Sequence, residues 1–343
     1  MSDLITYKNS KINELTNAFN SAVNTLRTQL INNINYIIKL RINNRIKSIY
    51  VNMYISNFNT SVNNLRIKLN SDIKNINSLT SIPGSRIPSK FLLSVGINYK
   101  NTSNELYGCI NDANNIKTLL FQKYGFTNSV LLTDDTNKKP TKQNIINEFT
   151  NLLVNSISGD SLFFFYSGHG TNTTDLNKDE LDGQDELIVP IDAVSIQTCI
   201  IDDQLNSIIK TNLKPGVNLF AMFDSCYSGT VLDLKYNYID SQNLNNLTVN
   251  PNVSDTVSQV FMISGCSDNQ TSEDTVINNG TTQTNSGAIT FAFLNTIKKT
   301  TSPITFKYLL QTMRTLLSDN GFTQIPQLSS GILTDINTQL VTF

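Results

Sequence analysis

Two apolar runs, each ending abruptly at a reactive side chain between small residues, constrain this chain more than any other feature. The first, Phe163-Phe164-Phe165-Tyr166, ends in Ser167-Gly168-His169-Gly170; the second, Val217 to Phe223, ends in Asp224-Ser225-Cys226-Tyr227-Ser228-Gly229. Short runs of continuous apolarity, stopped by glycine, read as strands buried on both faces, as in a parallel sheet. In such sheets reacting groups gather at the carboxyl ends of the strands. His169, the only histidine of the chain, and Cys226, 57 residues further on, would meet there as a base and a nucleophile.

A chain of 343 residues is long enough for one large or two ordinary domains. Its net charge of −1 hides an asymmetry. Residues 1–90 carry twelve Lys/Arg against three Asp/Glu, net +9, and residues 91–343 carry fourteen against twenty-four, net −10. A basic arm on an acidic body could hold nucleic acid or anionic lipid, or lie on the body itself. The four cysteines, Cys109, Cys199, Cys226 and Cys266, form no C-x-x-C pair and resemble neither a disulfide framework nor a zinc site, which favours a reducing, intracellular setting. Cys199 and Cys266 read as structural. No stretch reads as a signal peptide or a membrane span.

Residues 1–80 read as a basic helical region. Ile12, Leu15, Phe19, Ala22 and Leu26 share one helical stripe, which slips by one register through Leu30, Ile34 and Ile37; Val62, Leu65, Leu69, Ile73 and Ile76 resume it. Between them Ile49, Val51, Met53 and Ile55 alternate, which predicts a break or short strand. A helical hairpin accounts for the pattern, with a coiled-coil oligomerisation arm as the alternative. Residues 81–89, with two prolines and a glycine, read as a linker. From residue 90 strands alternate with helices: an α/β domain with a mostly parallel sheet of about six strands and helices on both faces. Residues 173–186 and 231–257 read as loops, and Asp202 as the cap of a helix running to Ile209.

Tyr166-Ser-Gly-His-Gly-Thr171 followed by Asp224-Ser-Cys-Tyr-Ser-Gly-Thr230 resembles the paired motifs of metacaspases, the caspase-like cysteine peptidases. The resemblance continues through Gly108-Cys-Ile-Asn-Asp112, Ile188-Val-Pro-Ile-Asp192, Ile201-Asp-Asp203, Ser264 to Thr271 and Gln327 to Ser330, over nearly all of residues 90–343. It implies a caspase-like domain with a larger part at 90–230, a short connection at 231–257 and a smaller part at 258–343, as in type I members. It also implies His169 and Cys226 as the catalytic dyad, and a monomer. Two features depart from the family: Tyr227 stands where a histidine is usual, and the amino-terminal arm is helical rather than Pro-rich.

The family arrangement places Cys109, Asp112, Ser167 and Asp224 at the primary specificity pocket. Two buried carboxylates there would favour a substrate Arg or Lys, although Asp112 could instead cap its helix. In similar metacaspases calcium binds four aspartates, which correspond to Asp185, Asp202, Asp203 and Asp233; oxygen ligands suit that ion. The expectation is a calcium-activated cysteine endopeptidase cutting after Arg or Lys, with Gly170 and Cys226 N–H groups holding the oxyanion. Lys235, Arg86 and Lys90 are candidate self-cleavage positions, and the basic arm is a candidate zymogen segment occupying the acidic groove. An inactive scaffold whose arm holds a partner is the competing class, and a nucleic-acid-binding arm a third.

Overall fold

The computed structural model describes residues 2–79, 86–175, 183–240, 243–265, 274–278 and 283–343, and divides into two units, Met1–Ser85 and Arg86–Phe343. The first is a pair of long helices, α1 (Ser2–Lys39) and α2 (Asn44–Ser78). They run antiparallel: Lys8 Nζ donates to the Asn77 carbonyl and Lys47 Nζ to that of Ile38, each at 2.7 Å. The half-buried stripe is the one the 3-4 spacing predicts, extended by Val51, Tyr54 and Phe58. The break, however, falls at 40–43 and not at 49–55. Asn43 caps α2 by accepting from the Arg45 N–H at 2.7 Å, and a cap fixes a helix start more firmly than a brief alternation of apolar residues fixes a strand.

The second unit begins with β1 (Lys90–Gly96), α3 (Cys109–Tyr124), β2 (Asn128–Thr133), α4 (Lys142–Val154) and β3 (Ser161–Ser167). Three short strands follow, β4 (Gly170–Thr174), β5 (Gln184–Ile188) and β6 (Ile200–Ile201), then α5 (Asp202–Asn212) and β7 (Asn218–Asp224). Beyond β7 come β8 (Tyr236–Tyr238), β9 (Thr248–Val249), β10 (Val260–Ser264), β11 (Asp274–Asn278) and β12 (Gln283–Gly287). The chain closes with α6 (Ala288–Lys299), α7 (Phe306–Asp319) and β13 (Gln327–Ser330). Among the described residues the main sheet has eight strands in the order β2-β1-β3-β7-β10-β13-β8-β9, parallel as far as β10 and antiparallel beyond it.

The alternation of side chains along β3 explains why helices cover both faces. Phe163 and Phe165 enter one core with residues of α3, α6 and α7, while Phe164 and Tyr166 enter the other with residues of α4 and α5. β7 divides likewise, Phe220 and Met222 on the first face, Ala221 and Phe223 on the second. Each fully buried phenyl ring contributes about 1.5–3 kcal/mol.

Three readings need correction. Residues 173–186 are not all loop, since their ends form β4 and β5, paired antiparallel. The 231–257 segment contributes β8 and β9, because β8 finds its partner in β13, far along the chain where local pattern has no reach. Asp202 is the first helical residue of α5, and its cap position is Ile201.

The start of this unit is anchored by Arg86, which forks onto Asp160, one contact at 2.7 Å. Burial on its own would raise the Asp160 carboxyl, but Arg86 and the Ile157 and Ser89 N–H groups outweigh it and hold it below the usual carboxylate range. A carboxyl held low in the fold adds stability above its unfolded value and loses it as pH falls through the folded one. Asp160→Asn is therefore expected to cost about 1–3 kcal/mol at neutral pH, with the deficit shrinking as urea melts are repeated toward acid.

Candidate active site

β3 and β7 pair in parallel up to Ser167 opposite Asp224, so His169 and Cys226 each stand two residues beyond the same register pair. The Gly168 N–H donates to the Asp224 carbonyl at 3.4 Å, carrying the pairing one step past the strands. A Cβ on Gly170 would sit 2.0 Å from the Cys226 carbonyl oxygen, so only glycine lets the two loops approach so closely. Cys226 is partly exposed, and Tyr227 after it adopts φ 48°, a left-handed turn that is rare for a bulky residue and concentrates at functional sites.

His169 is held from several sides. Its backbone N–H donates to the Tyr99 hydroxyl at 2.9 Å, and its carbonyl accepts from the Tyr166 hydroxyl at 2.8 Å and the Val189 N–H at 3.1 Å. The Tyr99 ring lies 4.7 Å from the imidazole, centroid to centroid. His169 Nε2 is 2.8 Å from the Asn104 carbonyl. A carbonyl only accepts, so Nε2 carries the hydrogen and Nδ1 of the neutral ring is left as the proton acceptor. The Asn104 loop is braced by Asp134, whose carboxylate accepts from the Asn98 and Lys100 N–H groups at 2.8 and 3.0 Å.

Asp112 is fully buried in the first turn of α3. It does not cap that helix; Gly108 occupies the cap position. Its carboxylate accepts instead from Ser167 Oγ at 3.1 Å, the Gly287 N–H at 2.8 Å and Ser286 Oγ. Asp224, 3 % exposed, accepts from the Thr290 N–H at 2.8 Å and Thr290 Oγ1 at 2.7 Å. Gly287 lies between the pair: a Cβ there would meet Asp224 Oδ2 at 2.2 Å. Among the described residues no Lys or Arg makes an ion pair with Asp112. Burial first, then the like charge of Asp224, push the Asp112 carboxyl well above the usual range, against the pull of its three donors. Cys109, the first residue of α3, is buried beside this group in sequence.

The acidic candidates divide. Asp202 and Asp233 come together with Glu186, their carboxylate oxygens within 4.8 Å of one another and all three side chains buried. Asp185 and Asp203 fall outside that trio. Three buried carboxylates in that space fit a hard divalent cation. Cys199 is a buried thiol pushed up by burial, with Lys142 opposing, which keeps it protonated and inert. Cys266 lies outside the described residues.

Residues 90–235 match the family model of the metacaspase peptidase C14 domain. The chain is 36% identical over 301 residues to Metacaspase-1 of Meyerozyma guilliermondii, covering 74% of this chain and 72% of that protein. It is 39% identical over 238 residues to Metacaspase-2 of Arabidopsis thaliana, covering 66% and 56% respectively. The chain belongs to the metacaspases, a family of cysteine peptidases. A solved structure, protein GSU0716 from Geobacter sulfurreducens, shares the fold with TM-score 0.54 at 22% identity, over 74% of this chain and 98% of that one. Among the described residues no helix is long and apolar enough to cross a membrane.

The structure brings together residues that pattern alone does not flag. Asn104 meets His169 through its carbonyl, which every residue has; Ser286 and Thr290 belong to no motif; and Glu186 joins Asp202 and Asp233 where the neighbouring Asp185 is expected. The three self-cleavage candidates sit in ordered backbone. Arg86 is bound to Asp160, Lys90 opens β1, and Lys235 pairs with Asp255 while its carbonyl accepts from the Asn250 N–H at 2.9 Å.

A carboxyl whose proton is held tighter in the fold than out of it costs more stability as pH rises above its unfolded value. Asp112→Asn is thus expected to raise the unfolding free energy from urea melts at neutral pH by about 0.5–2 kcal/mol, and to lose that advantage as pH falls into the carboxylate range.

Proposed function

We propose that the chain is a calcium-activated endopeptidase that cleaves after Arg or Lys, with Cys226 as nucleophile and His169 as base. The observation that supports the reading is the placement of both residues two positions past the same register pair of β3 and β7, with Nδ1 left as the acceptor. Nδ1 takes the Cys226 thiol proton, and the thiolate attacks the scissile carbonyl carbon. The Gly170 and Cys226 N–H groups receive the developing oxyanion. The imidazolium then protonates the leaving amine as the C–N bond breaks, and a thioester remains. Water attacks that thioester, passes a proton to Nδ1, and releases the acid as the thiol is restored. Throughout, the Asn104 carbonyl holds the ring in one tautomer and steadies its positive form, which Tyr99 faces.

The preference for basic residues rests on Asp112 and Asp224, buried carboxylates close enough to act on each other, with Ser167 Oγ donating to Asp112. A guanidinium or ammonium entering there would compensate the burial and the like charge of Asp224 that push the Asp112 carboxyl up. Hydrolysis of short fluorogenic peptides is the test. An Arg peptide is expected to turn over with kcat/KM about 10²-fold or more above its Asp counterpart, and Cys226→Ala to abolish turnover; Asp112→Asn should remove about 10²-fold from the Arg substrate while leaving the thiol reactive to iodoacetamide. Equal cleavage of both peptides would end the specificity reading, and hydrolysis by Cys226→Ala the nucleophile assignment.

Calcium would be held by Glu186, Asp202 and Asp233, which come from β5, α5 and the segment following Cys226. Its charge would offset the repulsion of three carboxylates and so order the loop that carries the nucleophile. Thr230 and Asn206 already tie these elements together: Thr230 Oγ1 donates to Glu186, and Asn206 Nδ2 donates to the Leu232 and Asp233 carbonyls at 2.7 and 3.0 Å. Glu186→Gln is expected to raise the half-activating calcium concentration about 10-fold or more and to reduce the calcium-dependent rise in Tm. An unchanged Tm response in that variant would remove Glu186 from the site.

A further inference from the structure

The turn between α1 and α2 combines exposed apolar side chains with uncompensated positive charge. Ile46, Ile49, Tyr50 and Met53 recur at i, i+3, i+4 and i+7 on α2, so they share one face, and they are 45, 61, 43 and 43 % exposed. That face is distinct from the stripe of Val51, Tyr54 and Phe58, which is half-buried in the hairpin. On the other arm of the turn Tyr36 and Ile38 are also exposed, at 64 and 59 %. Four cations crowd the same turn: Lys39, Arg41, Arg45 and Lys47. Lys47 caps the end of α1 through the Ile38 carbonyl; among the described residues none of the four makes an ion pair. From residue 15 to residue 71 the chain has seven Lys/Arg and no Asp or Glu.

We propose that this hairpin tip is a docking surface for an anionic lipid bilayer, lying in the interface without spanning it. Each half of the surface excludes a different rival. A second copy of the chain would satisfy the apolar stripe but would bring two sets of unpaired cations face to face, which costs association energy. A polyanion such as RNA would satisfy the cations but gives no reason for exposed isoleucine and methionine beside them. An acidic membrane surface meets both: headgroups attract the Lys and Arg, and the acyl boundary takes Ile49, Met53 and the ring of Tyr50. The α2 stripe is a helical face, so its residues reach the same depth together.

The test is vesicle flotation of the full-length chain, with Cys226→Ala to prevent self-digestion. Phosphatidylcholine vesicles are compared with vesicles containing roughly one-third phosphatidylserine, at low and physiological salt. Binding is expected only with phosphatidylserine, weakening as salt rises. Ile49→Ser/Met53→Ser should reduce it about 10-fold or more, and so should Arg41→Gln/Arg45→Gln. Circular dichroism of both double variants, and peptide hydrolysis by the same variants with Cys226 intact, should be unchanged, which separates lost docking from lost folding. The proposal is overturned if the serine variant floats like the parent, or if phosphatidylcholine binds equally well. It is also overturned if RNA competes fully and the serine variant still binds RNA undiminished, or if sedimentation shows a dimer that the serine variant dissolves. No flotation under any of these conditions overturns it as well.

Discussion

The parallel pairing of β3 with β7 is the interaction on which the site depends. It is made of backbone hydrogen bonds buried between two aromatic-rich faces, so a slip by one residue would turn every one of Phe163 to Tyr166 and Leu219 to Phe223 to the wrong core. The register is therefore over-determined, and His169 and Cys226 inherit that precision. Neither side chain needs a dedicated framework. Each is carried two residues past a strand whose position is already fixed, and Gly170 lets the carriers touch.

A second constraint is electrostatic. Asp112 reaches the site from the helix after β1, Ser167 from the end of β3, Asp224 from the end of β7 and Ser286 with Gly287 from β12. A helix start, two strand ends and a hairpin thus converge on two carboxylates that repel each other in a dry environment. Such an arrangement lowers stability, and it persists because the surrounding packing, with Phe220 in contact with the rings of Phe163, Phe306 and Phe343, is large enough to carry it. The energy stored as like-charge repulsion is of the kind that an incoming cation releases.

What the sequence disclosed follows from how each feature is encoded. β3, β7 and β10 are legible because a strand buried on both faces must be apolar throughout, and α3, α6 and α7 because their inner faces repeat at helical spacing. His169, Cys226, Asp112 and Asp224 are legible because their side-chain types are informative beside small neighbours. β8 and β9 are not, since Tyr236-Asn237-Tyr238 becomes a strand only through a partner some ninety residues downstream. Asn104 works through its peptide carbonyl and leaves no trace in composition. The break between α1 and α2 was hidden by a chance alternation of apolar residues, four of which lie along one helix.

The position of β13 has a topological consequence. This strand, near the carboxyl end of the chain, inserts between β10 and β8, so the segment that precedes β10 in sequence lies outboard of one that follows it. If a bond anywhere between β9 and β10 were severed, the two polypeptides would still share a continuous ladder and interleaved cores. Such a molecule would be nicked without coming apart, its fragments held as a cofolded heterodimer that only denaturation separates.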